Sequence, residues 1–435
     1  MRCTSNPLPM LVGESKQGMV HVMEREVSPP LMPSWLCTWR MLVPSVALAV
    51  PVAVSLLLAI LPDLPETPSP LDDKRFTTVR WSLDLSVGPP AVIETLHAAA
   101  IAGTMVPVGG AVLYVMVPGV PGCGTLYAGL LGRLQEALAP AACEVVALSY
   151  DCEGPGGLDR EVDVLKTALQ RILAESQAVG RRGVVVLAQS MGALLSTAAL
   201  ERLRAETPQL LEEQLLGLHL ITPFFDPSTS HRGGRAQRTA ASIPPWAASM
   251  AFAAVDALVA RVPTGWVGRI IMWVQHRRKH VTDVNEEEAM WFFRELAIRF
   301  PPALRHSMGL GREAVLGWAG SMHPTGPHKD WVSLLQHLSA SARLAVLLAA
   351  DDGWTSNFDL YFPGIVSAAP ELSPPWVRTL PVGHGFPQVP RNCILAAAAL
   401  AQASRALGWL GEEQASAGYA EQAEQAAGSH ARSLH

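Results

Sequence analysis

The sequence predicts an α/β fold in which a mostly parallel sheet is covered by helices on both faces. From about Phe76 onward, apolar segments of strand length alternate with amphipathic segments of helix length. The strand segments are almost wholly apolar, which is typical of parallel strands buried on both faces. The composition, with 49% hydrophobic and 16% charged residues, excludes a chain that is disordered throughout.

The predicted strands and helices follow one another in the order that a parallel sheet requires. Each strand is bounded by turn residues, and a helix-length segment follows most of them. The predicted strands are 111–117, 143–149, 183–188, 216–222 and 343–350, and the predicted helices are 124–138, 158–176, 191–204 and 391–407.

Composition divides the chain into a folded core and the segments around it. The core is interrupted by an insertion of about 120 residues between the strand ending at 222 and the strand at 343, which is too long for a loop and predicts a cap. The predicted divisions are a flexible leader (1–35), a membrane segment (36–62), a linker rich in proline and acidic residues (63–75), the first part of the core (76–222), a helical cap or lid (223–340), the second part of the core (341–410) and a polar tail (411–435).

Residues 41–62 contain no charged side chain. A segment of this length is long enough to cross ~30 Å of hydrocarbon. Pro44 and Pro51 weaken a helix, although membrane helices tolerate proline better than soluble ones. The sequence therefore predicts a membrane anchor or hairpin, while a cleaved signal and a buried core helix stay open as alternatives.

Charge and cysteine content exclude several classes of protein. The net charge of −5 argues against a nucleic-acid binder, which usually carries a basic domain or stripe. The six cysteines are scattered without a C-x-x-C pair, so neither a structural zinc site nor a dense disulfide framework is predicted. The 13 histidines show no H-E-x-x-H spacing. We therefore expect no metal and no cofactor.

A serine lies at the predicted turn between a strand and a helix. The segment GVVVLAQSMGALLS (183–196) runs from a valine-rich strand through Ser190 into a helix. This is the small-x-Ser-x-small pattern of a nucleophile elbow, with Ala188 and Gly192 as the small residues. The residues two before and two after the serine are expected to approach each other, which requires small side chains. Taken alone, the same five residues also fit an ordinary buried serine.

An acid and a histidine follow this serine in the chain order that an elbow requires. Asp351 and Asp352 end a predicted strand, at the sheet edge where α/β folds build their sites. His384 lies between two glycines after a short apolar run. We expect His384 to take the proton of Ser190 and a carboxylate to hold the imidazole and stabilise its charged form. Taken singly, the aspartates and the histidine are also turn residues.

The loop after the first predicted strand is expected to supply a backbone donor for an oxyanion. VMVPGVPGCG (115–124) leaves the strand and opens a helix, and Val120 follows Gly119 at the strand end. The predicted oxyanion donors are the N–H groups of Val120 and of Met191, which begins the helix after Ser190. The loop lacks the G-x-x-x-x-G-K-[ST] and G-x-G-x-x-G patterns of phosphate-binding loops, so a nucleotide cofactor is not predicted.

Several of these stretches together resemble the lipid droplet-associated hydrolases of the α/β-hydrolase superfamily. The resemblance covers roughly 110–408 and is carried by short motifs in family order. The matching stretches are PGVPGCGTLY (118–127), AQSMG (188–192), DDGW (351–354) and GHGF (383–386), with LITPFFDPSTSHRGGR (220–235) similar to the family's stretch after the next strand.

The resemblance implies an α/β-hydrolase fold with Ser190 as nucleophile, Asp352 as acid and His384 as base. It implies a weak or selective carboxylic ester hydrolase of the serine lipase or esterase type, located on lipid droplets or the endoplasmic reticulum membrane. The implied substrates are sterol esters or acylglycerols of lipid metabolism.

The chain departs from the family motifs at three positions. Ala188 and Gln189 stand where the elbow has Gly and His, and Val120 stands where the oxyanion loop has Asn. None of these departures removes a group of the predicted triad.

The predicted cap contains an unusually apolar stretch, 243–280. Its first part, 243–255, has no charge, and Trp266, Ile270 and Trp273 recur at helical spacing before a basic group at 276–280. Aromatic residues followed by a cationic cluster suit a helix at a lipid surface, with the cations at headgroup phosphates. A cap helix packed over the active site fits the same residues.

The sequence thus predicts a serine hydrolase whose partners are a lipid ester substrate and a membrane or lipid-droplet surface, with no nucleic acid. Two alternatives stay open. One is a weakly active or non-catalytic lipid-droplet protein that keeps the fold, because fold does not imply function. The other is an acyltransferase of the same fold.

Overall fold

The computed structural model describes residues 74–101, 110–152, 154, 157–225, 235, 242–244, 306, 309–311, 313–314, 330–352, 376–384 and 390–410. All of these belong to one compact unit, Asp63–His435. Within these ranges no helix is both long and apolar enough to cross a membrane. The predicted leader, membrane segment and polar tail, and most of the predicted cap, lie outside the described residues.

The described strands form one sheet in the order β1-β2-β4-β3-β5-β6-β7-β8. β2 runs antiparallel to both of its neighbours, and every pair from β4 to β8 is parallel. The mostly parallel sheet predicted from the sequence is therefore confirmed. The strands are β1 (Phe76–Leu83), β2 (Ala91–Ala98), β3 (Val112–Val117), β4 (Cys143–Leu148), β5 (Gly183–Gln189), β6 (Leu215–Ile221), β7 (Leu344–Asp351) and β8 (Trp376–Gly383).

Helices cover both faces of this sheet. α2, α3 and α5 share one apolar cluster with the sheet, and α1 and α6 share the other. The helices are α1 (Ala128–Leu138), which follows a 3-10 turn at Gly124–Tyr127, α2 (Leu158–Ala178), α3 (Met191–Glu206), α4 (Pro208–Gln214), α5 (Asp330–Ala340) and α6 (Pro390–Ala406).

The central strands divide their side chains between the two clusters. Along β5, Val184 and Val186 face the α2 and α3 side, whereas Val185 and Leu187 face the α1 and α6 side. All residues of β5 are buried, as are all those of β3. Because successive side chains of a strand point to opposite faces, a strand covered on both sides must be apolar throughout. That requirement explains the continuous valine-rich runs of the sequence.

The sequence patterns did not identify the first two strands or the last one. β1 exposes most of its residues, β2 is only partly buried, and β8 alternates irregularly between exposed and buried positions. These strands lie at the two ends of the sheet, where solvent admits polar side chains. Their hydrophobic pattern is therefore weaker than that of the central strands.

Residues in the range predicted as a cap contact the core. The Nε2 atom of His306 lies 3.0 Å from Oε2 of Glu161 in α2, and both side chains are buried. Glu313 accepts a hydrogen bond from the N–H of Leu158 at 2.7 Å, which satisfies a free donor at the start of α2. In α5, which closes the predicted cap range, Trp331 and Leu334 lie in the core.

A histidine lies inside the sheet with no polar partner among the residues that the structure describes. His219 of β6 is fully buried, and no hydrogen bond reaches either ring nitrogen from the described residues. Trp376 and Trp409 meet the ring edge-on at centroid distances of 5.8 and 6.3 Å. Burial lowers the pKa of His219 to about 3, because the apolar core disfavours the charged imidazolium.

The stability of the fold should therefore fall in mild acid through His219. The unfolded chain binds a proton at this residue below its ordinary pKa of about 6.5, whereas the folded chain does so only near pH 3. Between pH 6 and pH 4 we expect the wild type to lose ~2 kcal/mol more free energy of unfolding than His219→Leu. Denaturant titrations at the two pH values measure this difference.

His219→Asn serves as the matched control, since it removes the titration but keeps a polar side chain. Both variants should show the same flattened pH dependence despite different absolute stabilities. A variant that kept the full acid sensitivity of the wild type would contradict a neutral His219.

Candidate active site

Ser190 occupies a strained turn between β5 and α3. Its backbone angles are φ 52° and ψ −118°, a region that residues other than glycine rarely adopt. Such a conformation costs ~1–3 kcal/mol and persists only when its surroundings hold it. Here the N–H of Ser190 donates to Ile221 at 2.9 Å, and its carbonyl accepts from the N–H of Phe224 at 3.2 Å. The end of β6 thus holds both peptide groups of the serine.

Two glycines allow the chain to pass close to this turn. A Cβ atom at Gly192 would lie 2.5 Å from the carbonyl oxygens of both Val117 and Pro118. A Cβ atom at Gly119 would lie 2.9 Å from the Cβ of Ser190. The sequence predicted that Gly192 must be small because it approaches Ala188. The atoms nearest to a Cβ at Gly192 belong to the end of β3 and the loop after it, so these also require a small residue there.

Strand register brings the acid and the histidine together. β7 and β8 are parallel neighbours, and Asp351 lies opposite Gly383 at their carboxyl ends. Asp352 and His384 each come directly after the last residue of their strand. The chain therefore leaves the sheet at neighbouring points, and these two residues lie close together. β6 lies between these strands and β5, so Ser190 leaves the same edge of the sheet.

The imidazole of His384 bridges the serine and the aspartate. Nε2 of His384 lies 2.7 Å from Oγ of Ser190, and Nδ1 lies 2.8 Å from Oδ2 of Asp352. The Asp352 side chain is only 3% exposed, and that of His384 is 19% exposed. An ionised carboxylate only accepts hydrogen bonds, so Nδ1 carries the proton in the neutral ring and Nε2 is left to accept from the serine hydroxyl.

The loop after β3 runs beside the serine, as its predicted oxyanion role requires. Val120 follows Gly119 and is 50% exposed, and Met191 is the first residue of α3. Among the described residues, none accepts a hydrogen bond from the N–H of Val120 or of Met191. The N–H of Gly119, by contrast, donates to the hydroxyl of Tyr127 at 3.0 Å.

Sequence reasoning missed two polar side chains behind the serine. The hydroxyl of Tyr127 donates to Oε1 of Gln189 at 2.6 Å, and Nε2 of Gln189 donates to the carbonyl of His384 at 3.2 Å. Both side chains are buried. Both residues stand inside motif stretches of the sequence, Tyr127 at the end of PGVPGCGTLY and Gln189 beside the elbow serine. Their positions inside the motifs could have drawn attention to them. Their contact with each other could not be predicted from the sequence.

No family model matches the chain, and no curated protein matches it. Similar solved structures include a thermophilic esterase from Thermogutta terrifontis, at 19% identity over 76% of this chain and 99% of the other, with a TM-score of 0.43. Brefeldin A esterase, described as a bacterial homologue of human hormone-sensitive lipase, is 15% identical over 86% of each chain with a TM-score of 0.40.

A third similar structure is the peroxisomal α/β-hydrolase Lpx1 of Saccharomyces cerevisiae, at 12% identity over 75% of this chain and 87% of the other, with a TM-score of 0.46. The structural neighbours are thus esterases and other hydrolases of the α/β-hydrolase superfamily. These identities and TM-scores are too low to carry an activity over to this chain.

The close approach at Gly192 can be tested against a matched glycine. Gly192→Ala forces a methyl group against two backbone carbonyls, so we expect a loss of ~1–3 kcal/mol in the free energy of unfolding. Gly129 has the same position in α1, and a Cβ there meets nothing within 4 Å. Gly129→Ala should therefore be neutral or slightly stabilising. Denaturant unfolding of both variants measures the contrast, and equal effects would refute the packing argument.

Proposed function

We propose that this protein is a serine hydrolase that cleaves carboxylic esters of lipids at a lipid-droplet or membrane surface. The observation that supports the chemistry is the imidazole of His384 in hydrogen-bond contact with both Ser190 and Asp352. A hydroxyl, a base and an acid in this arrangement form an activated nucleophile. The strained turn at Ser190 supports the same reading, because strained residues cluster at functional sites.

The proposed reaction runs in two steps. Oγ of Ser190 attacks the ester carbonyl while Nε2 of His384 takes its proton, and that proton then passes to the leaving alcohol. A water molecule attacks the resulting acyl-serine, with His384 again accepting a proton, and the fatty acid leaves as Ser190 recovers its hydrogen. Asp352 stabilises the imidazolium that forms in each step. The N–H groups of Val120 and Met191 stabilise the oxyanion.

The lipid substrate and its surface are proposed from the sequence. The uncharged stretch 41–62 lies outside the described residues, as does the aromatic stretch 243–280 with its terminal basic group except for its first two residues. A membrane anchor and a cap at the lipid surface would place the site where sterol esters or acylglycerols are stored, on a lipid droplet or the endoplasmic reticulum membrane. A cap that opens at the surface would also exclude water from the closed site.

The role of the serine is tested by covalent trapping. A fluorophosphonate probe reacts with an activated serine, so it should label the wild-type chain and leave Ser190→Ala unlabelled. Asp352→Asn should lower turnover by about three to four orders of magnitude, because the imidazole loses the acceptor that sets its tautomer. Activity is read with a short-chain ester.

Asp351→Asn is the matched control for the acid. It makes the same change one residue earlier on the chain and should leave turnover close to that of the wild type. The opposite result would reassign the acid to Asp351. An unlabelled wild type would favour a non-catalytic lipid-surface protein.

The membrane proposal is tested by alkaline carbonate extraction of membranes that carry the chain. Full-length protein should resist extraction, and a chain without residues 1–62 should be released, because only the longer chain contains the uncharged stretch. Release of both chains would refute the anchor. Hydrolysis rates across triacylglycerol, sterol ester and short-chain esters then identify the preferred substrate.

A further inference from the structure

A continuous chain of hydrogen bonds runs behind the proposed nucleophile. It starts at the N–H of Gly119 in the loop after β3, passes through the hydroxyl of Tyr127 at 3.0 Å, and reaches Oε1 of Gln189 at 2.6 Å. It leaves through Nε2 of Gln189, which donates to the carbonyl oxygen of His384 at 3.2 Å. The chain thus joins the loop of the proposed oxyanion donor to the residue that is the proposed base.

The direction of every bond in this chain is set at its two ends. The N–H of Gly119 can only donate, so the Tyr127 oxygen accepts from it and its own hydrogen points to Gln189. The carbonyl of His384 can only accept, so it faces the amide nitrogen of Gln189. The residue between them needs an acceptor and a donor on one rigid group. A glutamine amide provides both.

Burial strengthens these hydrogen bonds and raises the free-energy cost of losing them. Tyr127 is 5% exposed and Gln189 is 4% exposed. Burial also raises the pKa of Tyr127, so its hydroxyl keeps the hydrogen that it donates. A buried polar group that loses its partner is not compensated by water. The chain is therefore held in one arrangement as long as all of its members are present.

Strained backbone lies on both sides of Gln189. Ser190 follows it directly with φ 52°, and Thr222 has φ 42°, which is unusual for a β-branched residue. Nε2 of Gln189 donates a second hydrogen bond, to the hydroxyl oxygen of Thr222 at 3.4 Å. Residues 190 and 222 are thus both held in uncommon conformations next to the same amide. The amide of Gln189 therefore lies where a side chain is needed to hold these two backbone conformations in place.

We propose that Gln189 is a positioning residue, which with Tyr127 fixes the distance between the oxyanion loop and the His384 backbone on either side of Ser190. This inference rests on the proposed hydrolase function and deepens it. Gln189 acts through its neighbours and need not touch the substrate. The same chain uses the N–H of Gly119, so the donor that the loop offers an oxyanion is the N–H of Val120.

The test compares Gln189→Met with the wild type in ester hydrolysis. Methionine keeps the length of the side chain but removes its three hydrogen bonds, so the oxyanion loop and His384 are free to shift relative to Ser190. Small displacements in an active site can lower rates by about a hundredfold. We expect kcat to fall about 10- to 100-fold while KM stays within about twofold, because ground-state binding does not depend on this geometry.

Tyr127→Phe tests the other half of the chain and removes a single oxygen atom. Its kcat should fall about tenfold, again at nearly constant KM. The double variant should be no slower than Gln189→Met, because both changes break one chain. Independent, multiplying effects of the two changes would overturn the inference.

Gln135→Met is the matched control for loss of a buried glutamine. Gln135 is 1% exposed, and its Nε2 donates to the carbonyls of Ala99 and Cys143 at 2.9 and 3.1 Å, at the opposite end of β4 from the site. This variant should lower the melting temperature about as much as Gln189→Met while keeping the wild-type kcat. Equal losses of kcat in the two methionine variants would mean that Gln189 has only a structural role.

The outcomes separate this inference from the function on which it rests. A wild type that neither hydrolyses esters nor reacts with the fluorophosphonate probe would overturn both. An active wild type with unchanged kcat in Gln189→Met and Tyr127→Phe would overturn the positioning role alone. If Gln189→Met does not fold, the kcat of Tyr127→Phe decides the question, and a kcat equal to that of the wild type overturns the positioning role.

Discussion

The backbone of Ser190 is strained, and the rest of the site depends on the contacts that hold it. The conformation at φ 52° and ψ −118° would relax if its peptide groups were free. Ile221 and Phe224 bind those groups from the end of β6, and Gly192 lets α3 begin directly against the end of β3. Three separate strands therefore meet at one residue. The buried parallel sheet provides the energy that keeps the serine hydroxyl aimed at His384.

The sheet also determines which residues can face that hydroxyl. Asp352 and His384 are brought together because Asp351 pairs with Gly383 in the ladder between β7 and β8. A slip of one residue in this register would turn every side chain of a strand to the other face. The apolar positions of β7 prevent such a slip, because Val346 and Leu347 belong to opposite cores. Core packing thus controls a distance of 2.8 Å at the edge of the sheet.

The positions of Ser190, Asp352 and His384 could be anticipated from the sequence because each carries a local signal. The serine follows a valine-rich strand and precedes a glycine, and the other two residues end strands in the expected order. The contact between Tyr127 and Gln189 had no such signal, since these residues are 62 positions apart and meet only through the fold. β1 and β2 were missed for a different reason, because exposed edge positions relax the apolar pattern on which strand prediction relies.

The departures from the motifs of the lipid droplet-associated hydrolases fall where the structure tolerates them. Val120 is proposed to use only its backbone N–H, so its side chain is free to point into solvent, and it is 50% exposed. Ala188 is fully buried and adds one methyl group to a packed strand. Gln189 differs from these two, because its side chain must satisfy a hydroxyl donor and a carbonyl acceptor together. A change at residue 189 to a side chain without both functions would leave the buried Tyr127 hydroxyl without its acceptor or the His384 carbonyl without this donor, so residues 127 and 189 are constrained as a pair.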